Sequence, residues 1–241
     1  MSLSRMANIV ALGSAACTLA IASTPFGAHA AALAPPDGSY KFSVTRAGAS
    51  VGSTVVTVKR VAPGVTIHEL ETFGGVTETV DESLDGGDLS PTGYVSTFPV
   101  TSDVPAVTAR VAFYSGGARF TIDTVPGSTD FNMEEGTTRM VVVDGALATG
   151  FLFLPAQIHE EQLTRFTLFA PSGAETFYCT LNAIAMPPRP AGLPAPDVSV
   201  TVDGTAQNGN TEFVVWYDPT TLIVDEVDVP TQQVTIARVR S

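Results

Sequence analysis

The stretch Glu212–Pro230, EFVVWYDPTTLIVDEVDVP, decides the fold. In a strand successive side chains point to opposite faces. Phe213, Val215 and Tyr217 therefore share one face, and Val214 and Trp216 share the other, bracketed by Glu212 and Asp218. Both faces are apolar at the centre, whereas a strand with one wet face would alternate cleanly. Such a strand is covered twice: by a second sheet, by a helix lying in the concavity of a curved sheet, or by an apolar ligand. The Asp218-Pro219-Thr220-Thr221 segment supplies a turn, with Pro219 pre-setting φ. The return segment DEVDVP puts Val227 and Val229 inward and leaves Glu226 and Asp228 in water. Strand alternation thus accounts for the acids without any chemistry. The segment RMVVVD has the same two-sided pattern, with Met140 and Val142 opposite Val141 and Val143.

Working outward, the period is two almost everywhere. SYKFSVTR sets Tyr40, Phe42 and Val44 against Lys41, Ser43 and Thr45, and AVTARVAFY sets Val107, Val111 and Phe113 against Thr108, Arg110 and Tyr114. RFTIDTV, RFTLFA, DVSVTV and QQVTIARV repeat the alternation. Turn pairs such as Pro63-Gly64, Gly74-Gly75, Gly86-Gly87, Gly116-Gly117 and Asp203-Gly204 separate the runs. The spacing predicts about eleven to thirteen strands in hairpins and meanders. One segment differs: in ALATGFLFLPAQIHEEQLTRF, Pro155 suits a first helical turn and the following Ala, Gln, Glu and Leu favour helix. A short helix over Pro155–Leu163 is expected, with an irregular crossover as the alternative. The Pro-rich tract Ala185–Pro196 reads as an extended connection, because the residues after it are too few for a core of their own. The last strands then complete the same sheet.

The chain opens MSLSRMANIVALGSAACTLAIASTPFGAHAAALAPP. A basic start at Arg5, an apolar stretch from Ile9 to Ile21 and the small residues Ala28 and Ala30 have the order of a secretory signal. The stretch is short of the roughly 20 apolar residues a membrane span needs. Residues 1–30 are expected to be a signal peptide cleaved after Ala30, leaving 31–241 as a single antiparallel β domain in the periplasm or outside the cell. Lipidation at Cys17 is the alternative, although Ser14 stands where such a site usually has Leu. The net charge is −12, from 24 acidic and 12 basic residues, and it repels phosphate backbones and anionic lipid surfaces. Nucleic-acid binding and membrane spanning are not expected, and the oligomeric state is left open. Without Cys17, Cys179 is alone and forms no internal disulfide. Lying in phase with Phe177 and Leu181, it reads as a small core residue.

Motifs for chemistry fail one by one. Asp81, Ser83, Asp85 and Gly86 begin like a calcium loop, but Thr92 stands where that loop needs a bidentate Glu. His159-Glu160-Glu161 begins like a zinc-protease helix, but Leu163 replaces the second His. No G-x-S-x-G occurs, and Val125 replaces the Gly of an aspartic-protease triplet after Asp123 and Thr124. In the doublets Glu134-Glu135 and Glu160-Glu161, adjacent side chains point apart, so neither forms a pair of facing carboxylates. No catalytic residue, metal site or cofactor is expected.

GSYKFSVTRAGASVGSTVVTV (38–58) has the form of a long hairpin, and EFVVWYDPTTLIVDEVDV has the form of a second one near the C-terminus. Together they resemble bacterial exported proteins of uncharacterised function with a LolA-like, lipoprotein-carrier-like half-barrel. The resemblance implies a mainly β fold: a curved antiparallel sheet, half-barrel or clam, with one short helix. It also implies a concave apolar face that holds a lipid or acyl chain. The expected function is non-enzymatic binding of an apolar or amphipathic ligand, or of a partner, on that face, with Trp216 and Phe153 as lining. A secreted hydrolase using carboxylates and a structural cell-envelope protein are the rival readings.

Overall fold

The computed structural model describes residues 35–98, 107–114, 117–124, 127–134, 139–143, 149–161, 163–170, 175–182, 187–206 and 209–240. The proposed signal segment and Cys17 lie outside them. Eight strands run in order as a meander: β1 (Gly38–Arg46), β2 (Ala49–Val61), β3 (Gly64–Phe73), β4 (Val76–Asp85), β5 (Pro91–Phe98), β6 (Val107–Tyr114), β7 (Gly117–Asp123) and β8 (Ser128–Glu134). The chain continues through β9 (Arg139–Val142), the helix α1 (Thr149–Glu161), β10 (Arg165–Ala170), β11 (Glu175–Asn182), β12 (Val198–Ala206), β13 (Gly209–Tyr217), β14 (Val224–Val229) and β15 (Val234–Arg238). A single 3-10 turn, Pro230–Gln232, joins the last two strands.

All fifteen strands form one sheet, ordered β8-β7-β6-β5-β4-β3-β2-β1-β15-β14-β13-β12-β11-β10-β9. Two meanders are thus joined where β15 pairs antiparallel with β1, Val44 opposite Ile236. Every neighbouring pair is antiparallel except β9 and β10, which run parallel and are connected through α1. Turn chemistry sets the register locally. Gly74 and Gly75, both at positive φ, form the two-residue link between paired Phe73 and Val76, a conformation that favours Gly strongly.

The sheet is curved and open, and its concave side closes on α1. Tyr40, Phe42 and Val44 of β1, Val56 and Val58 of β2, and Val65 and Ile67 of β3 approach the helix from one side. Phe213, Val215, Val227, Val229, Val234 and Ile236 approach from the other. Phe151, Leu152, Phe153, Leu154 and Ala156 are all buried, as consecutive apolar residues that cover every side of the helix's first half must be, while His159 in the last turn is exposed. Gly150 lets α1 dock on β9, because a methyl group there would collide with the Val142 carbonyl and the Val141 side chain. A second cluster joins Val80, Tyr94, Val111, Ala118 and Phe120 of β4–β7 to Met140, Val142 and Phe169. In it the Phe120 and Phe169 rings lie 4.3 Å apart.

Two-sided burial has a separate cause at each predicted place. On β9, Val141 faces the helix cluster while Met140 and Val142 face the second cluster. On β13, Phe213 and Val215 face α1, and Trp216 lies on the opposite face beside Pro187 and Pro188. The described part of the Pro-rich tract, from Pro187 onward, therefore runs on the outside of the sheet, and β12–β15 complete that sheet as expected.

Three expectations need correction. The described residues form fifteen strands, where about eleven to thirteen are expected. The helix begins at Thr149, not Pro155, so the proline lies inside it. There Pro155 removes the bond to the Phe151 carbonyl, a loss of about 3 kcal/mol or more in an ordinary helix. Enclosure of the apolar run Phe151–Leu154 outweighs that local preference. Glu226 and Asp228 are half-buried on the outer face and not in open water. No helix among the described residues is long and apolar enough to cross a membrane.

Candidate functional site

Strand β3 carries Val65, Ile67, Glu69, Glu71 and Phe73 on its inner face. Glu69 and Glu71 are buried, whereas Leu70 between them is 44% exposed. Strand β4 adds Glu78, Val80, Glu82 and Leu84 to the same face. The register sets Glu71 opposite Glu78, Glu69 opposite Val80 and Ile67 opposite Glu82. Four carboxyl groups therefore enter the concave side where strand alternation would otherwise supply aliphatic residues. Thr54 Oγ1 donates to Glu69 Oε1 at 2.8 Å. Glu69 Oε2 has no hydrogen-bond partner among the described residues. Burial, and then the neighbouring Glu71, hold the Glu69 carboxyl well above the ordinary glutamate range, against the opposing Thr54 hydrogen bond.

Beside this acidic patch a pocket of about 350 Å³ opens at one mouth of the curved sheet. Phe73, Phe151, Phe213, Val229, Val234 and Ile236 form its apolar walls, and Glu71, Glu78, Arg46 and Gln232 are its polar groups. The Phe151 and Phe213 rings are 4.9 Å apart, which ties the helix to β13 at the wall. The Arg46 guanidinium lies 5.2 Å from the centre of the Phe73 ring, at the rim.

The two residues expected to line a concave site are not brought together. Phe153 is fully buried in α1 and borders a closed cleft of only about 10 Å³, shared with Glu82 and Gln157. Gln157 donates from Nε2 to the Leu89 carbonyl at 3.0 Å, which fixes the helix to the β4–β5 loop. Trp216 is on the outside of the sheet, in a groove of about 700 Å³. Arg189 from the Pro-rich tract sits 5.9 Å from the centre of the indole.

That outer face has its own acids. Arg240 reaches Asp225 at 3.0 Å and Asp197 at 3.8 Å, and Arg238 reaches Asp225 at 3.3 Å. Burial and then Asp225 push the Asp197 carboxyl up to about 6. Burial and then Asp228 push Glu226 up to about 7, against the attraction of Arg240. Asp225 is buried because β14 bulges against β13 there, which lets both Val224 and Val227 reach the core.

Other candidates resolve simply. Asp85 and Asp88 accept the Gly87 and Ser90 backbone N–H groups at 2.6 and 2.9 Å and so build the β4–β5 turn. His68 pairs with Asp81 at 2.8 Å on the exposed face. Cys179 is buried in the main cluster, and burial pushes its thiol up to about 12, which makes it a poor nucleophile. No group of three His, Cys, Asp or Glu among the described residues could hold a metal ion.

The inner glutamates lie in the inward phase of their strand. Their signal in the sequence is not an acidic doublet but Val65-x-Ile67-x-Glu69-x-Glu71-x-Phe73, in which the apolar ends fix the inward phase.

No protein-family model and no curated protein matches the chain. Among solved structures, the chain is similar to the crystal structure of a β-barrel-like protein of a domain of unknown function, DUF1849, from Brucella abortus. The two share 11% sequence identity with a TM-score of 0.52, over 85% of this chain and 94% of that one. The likeness is one of fold alone; in this chain the described residues form a single large, curved, unclosed and mainly antiparallel sheet with one α-helix.

Proposed function

We propose that this protein is an exported, non-enzymatic binder of a small amphipathic molecule, held in the pocket at the mouth of its curved sheet. The carrying observation is the pocket's composition: aromatic and branched aliphatic walls around two facing carboxyl groups, Glu71 and Glu78. Its volume of about 350 Å³ lies within the range of small-molecule sites, which join apolar linings to a few placed polar groups. Use of the concave face accords with the lipoprotein-carrier-like half-barrel. Carboxylates in such walls favour a head group that donates hydrogen bonds or carries positive charge, and they disfavour a free fatty acid. The apolar body then lies against Phe73, Phe151 and Phe213.

Calorimetric titration with dodecylamine and with dodecanoate tests this. The amine is expected to bind at least tenfold more tightly, with the preference reduced in Glu71→Gln and Glu78→Gln. Native mass spectrometry of protein taken from a bacterial envelope fraction is expected to show a retained small molecule. Absence of binding by both probes, with clean spectra, would overturn the proposal.

A further inference from the structure

We propose a second binding site on the opposite face of the sheet: the groove over Trp216, which takes an extended basic peptide. Strands β12–β15 form its floor through Thr201, Val214, Trp216, Asp228 and Thr235. Pro187 and Pro188 form one wall, and the Ala47-Gly48 turn forms another. It lies outside the helix-filled concavity and shares only Val234 with the lining of the inner pocket.

Two buried polar atoms indicate a missing partner. Trp216 is 5% exposed and Thr201 is 2% exposed. Among the described residues, neither Trp216 Nε1 nor Thr201 Oγ1 has a hydrogen-bond partner. Buried polar groups are normally satisfied, and the indole N–H can only donate. The nitrogen has no open surface of its own, so an acceptor on the incoming molecule reaches it where the Pro187–Arg189 segment beside the indole gives way.

The charge of the groove calls for the opposite kind of group as well. Glu212 and Asp228 both line it, and Glu226, two residues before Asp228 on the same strand, shares a side-chain hydrogen bond with Asp228. Asp228 Oδ1 accepts from Thr235 Oγ1 at 2.7 Å, and no Lys or Arg of the described residues forms an ion pair with Glu212 or Asp228. The arginines of this face are engaged elsewhere. Arg238 and Arg240 pair with Asp225, and Arg189 donates to the Asp197 carbonyl at 2.8 Å. A ligand that combines a guanidinium or ammonium group with a carbonyl acceptor satisfies both requirements. An extended peptide has that combination: a backbone carbonyl accepts from Trp216 Nε1, and a Lys or Arg side chain enters between Glu212 and Asp228. A simple diamine offers the cation and no acceptor for the indole.

Trp216 is the single tryptophan of the chain, so its fluorescence reports this groove directly. The full chain is titrated with a blocked hexapeptide alternating valine and arginine, with the same peptide carrying glutamine for arginine, and with 1,5-diaminopentane. A saturable change is expected with the arginine peptide, with at least tenfold weaker binding of the other two. Asp228→Asn and Glu212→Gln are each expected to weaken the arginine peptide about tenfold while circular dichroism stays unchanged. By calorimetry, Trp216→Phe, which keeps a ring and removes the N–H, is expected to weaken it as well. Equal affinity for the diamine overturns the peptide assignment. Peptide binding indifferent to both acid substitutions overturns the site. A groove blocked by self-association, seen as concentration-dependent sedimentation lost in Asp228→Asn, replaces the peptide with a second copy of the chain.

Discussion

At the scale of single residues, the dominant fact is acid placed where water is excluded. Glu69, Asp197 and Glu226 all have folded pKa values above their unfolded ones. A carboxyl raised in this way favours the folded state most at pH below its unfolded value, and that contribution is lost as pH rises through the folded value. For Asp197 and Glu226 the window runs from the ordinary carboxyl values of 3.8 and 4.5 to about 6 and about 7. The melting temperature is therefore expected to fall between pH 5 and pH 8, as scanning calorimetry would show. Glu69→Gln, which keeps the shape and removes the ionisation, is expected to melt higher than the parent at pH 8, with less difference at pH 5. Cys179 gives a second residue-scale expectation. A thiol-specific reagent should label it negligibly in the native protein and rapidly in urea, because its thiol is buried and held protonated.

At the scale of elements, α1 organises the interior. Phe153→Ala is expected to cost about 3–5 kcal/mol in chemical denaturation, as for other fully buried aromatic side chains. Gly150→Ala should also destabilise, because the new methyl group must displace β9 backbone. How far the elements could be read from sequence follows from which forces were local. Alternation and turn pairs are local, so β1, β2, β6, β10, β13 and β14 stood out, and with them the mainly β class. The start of α1 did not, because Phe151–Leu154 is helical only through enclosure by strands distant in sequence, against the local preference at Pro155. The four-residue β9 is legible from its two-sided apolar run, whereas β8, with polar side chains at four of its seven positions before the final Glu, carries too little alternation to announce itself. The outer groove was half legible. Trp216 stands out in the sequence, but its side of the sheet depends on which of two apolar faces meets the helix. The partner of the other face, Pro187-Pro188, is contiguous with nothing in β13. The inner glutamates required trusting the phase of β3 over the habit of placing acids in water.

At the scale of the whole molecule, curvature is what gives a single sheet two clusters. The concave side meets α1, while the short strand β9 is buried on both faces between α1 and β4–β7. A negative charge of 12 units is spread over this shell, and raising ionic strength is expected to increase the melting temperature at pH 8 by screening like charges. Thermal melts at low and at moderate salt would check this.

The pairing of β15 with β1 has a temporal consequence. Synthesis delivers β1 before, and β15 after, every other strand of the sheet, so the junction of the two meanders forms only once both exist. Until residues 234–238 emerge, β1 offers an unfilled edge to any neighbouring polypeptide, the arrangement most prone to misjoined assemblies. That edge stays open while the thirteen strands between β1 and β15 are made, and a chain broken off after β14 would be left as two unsewn halves.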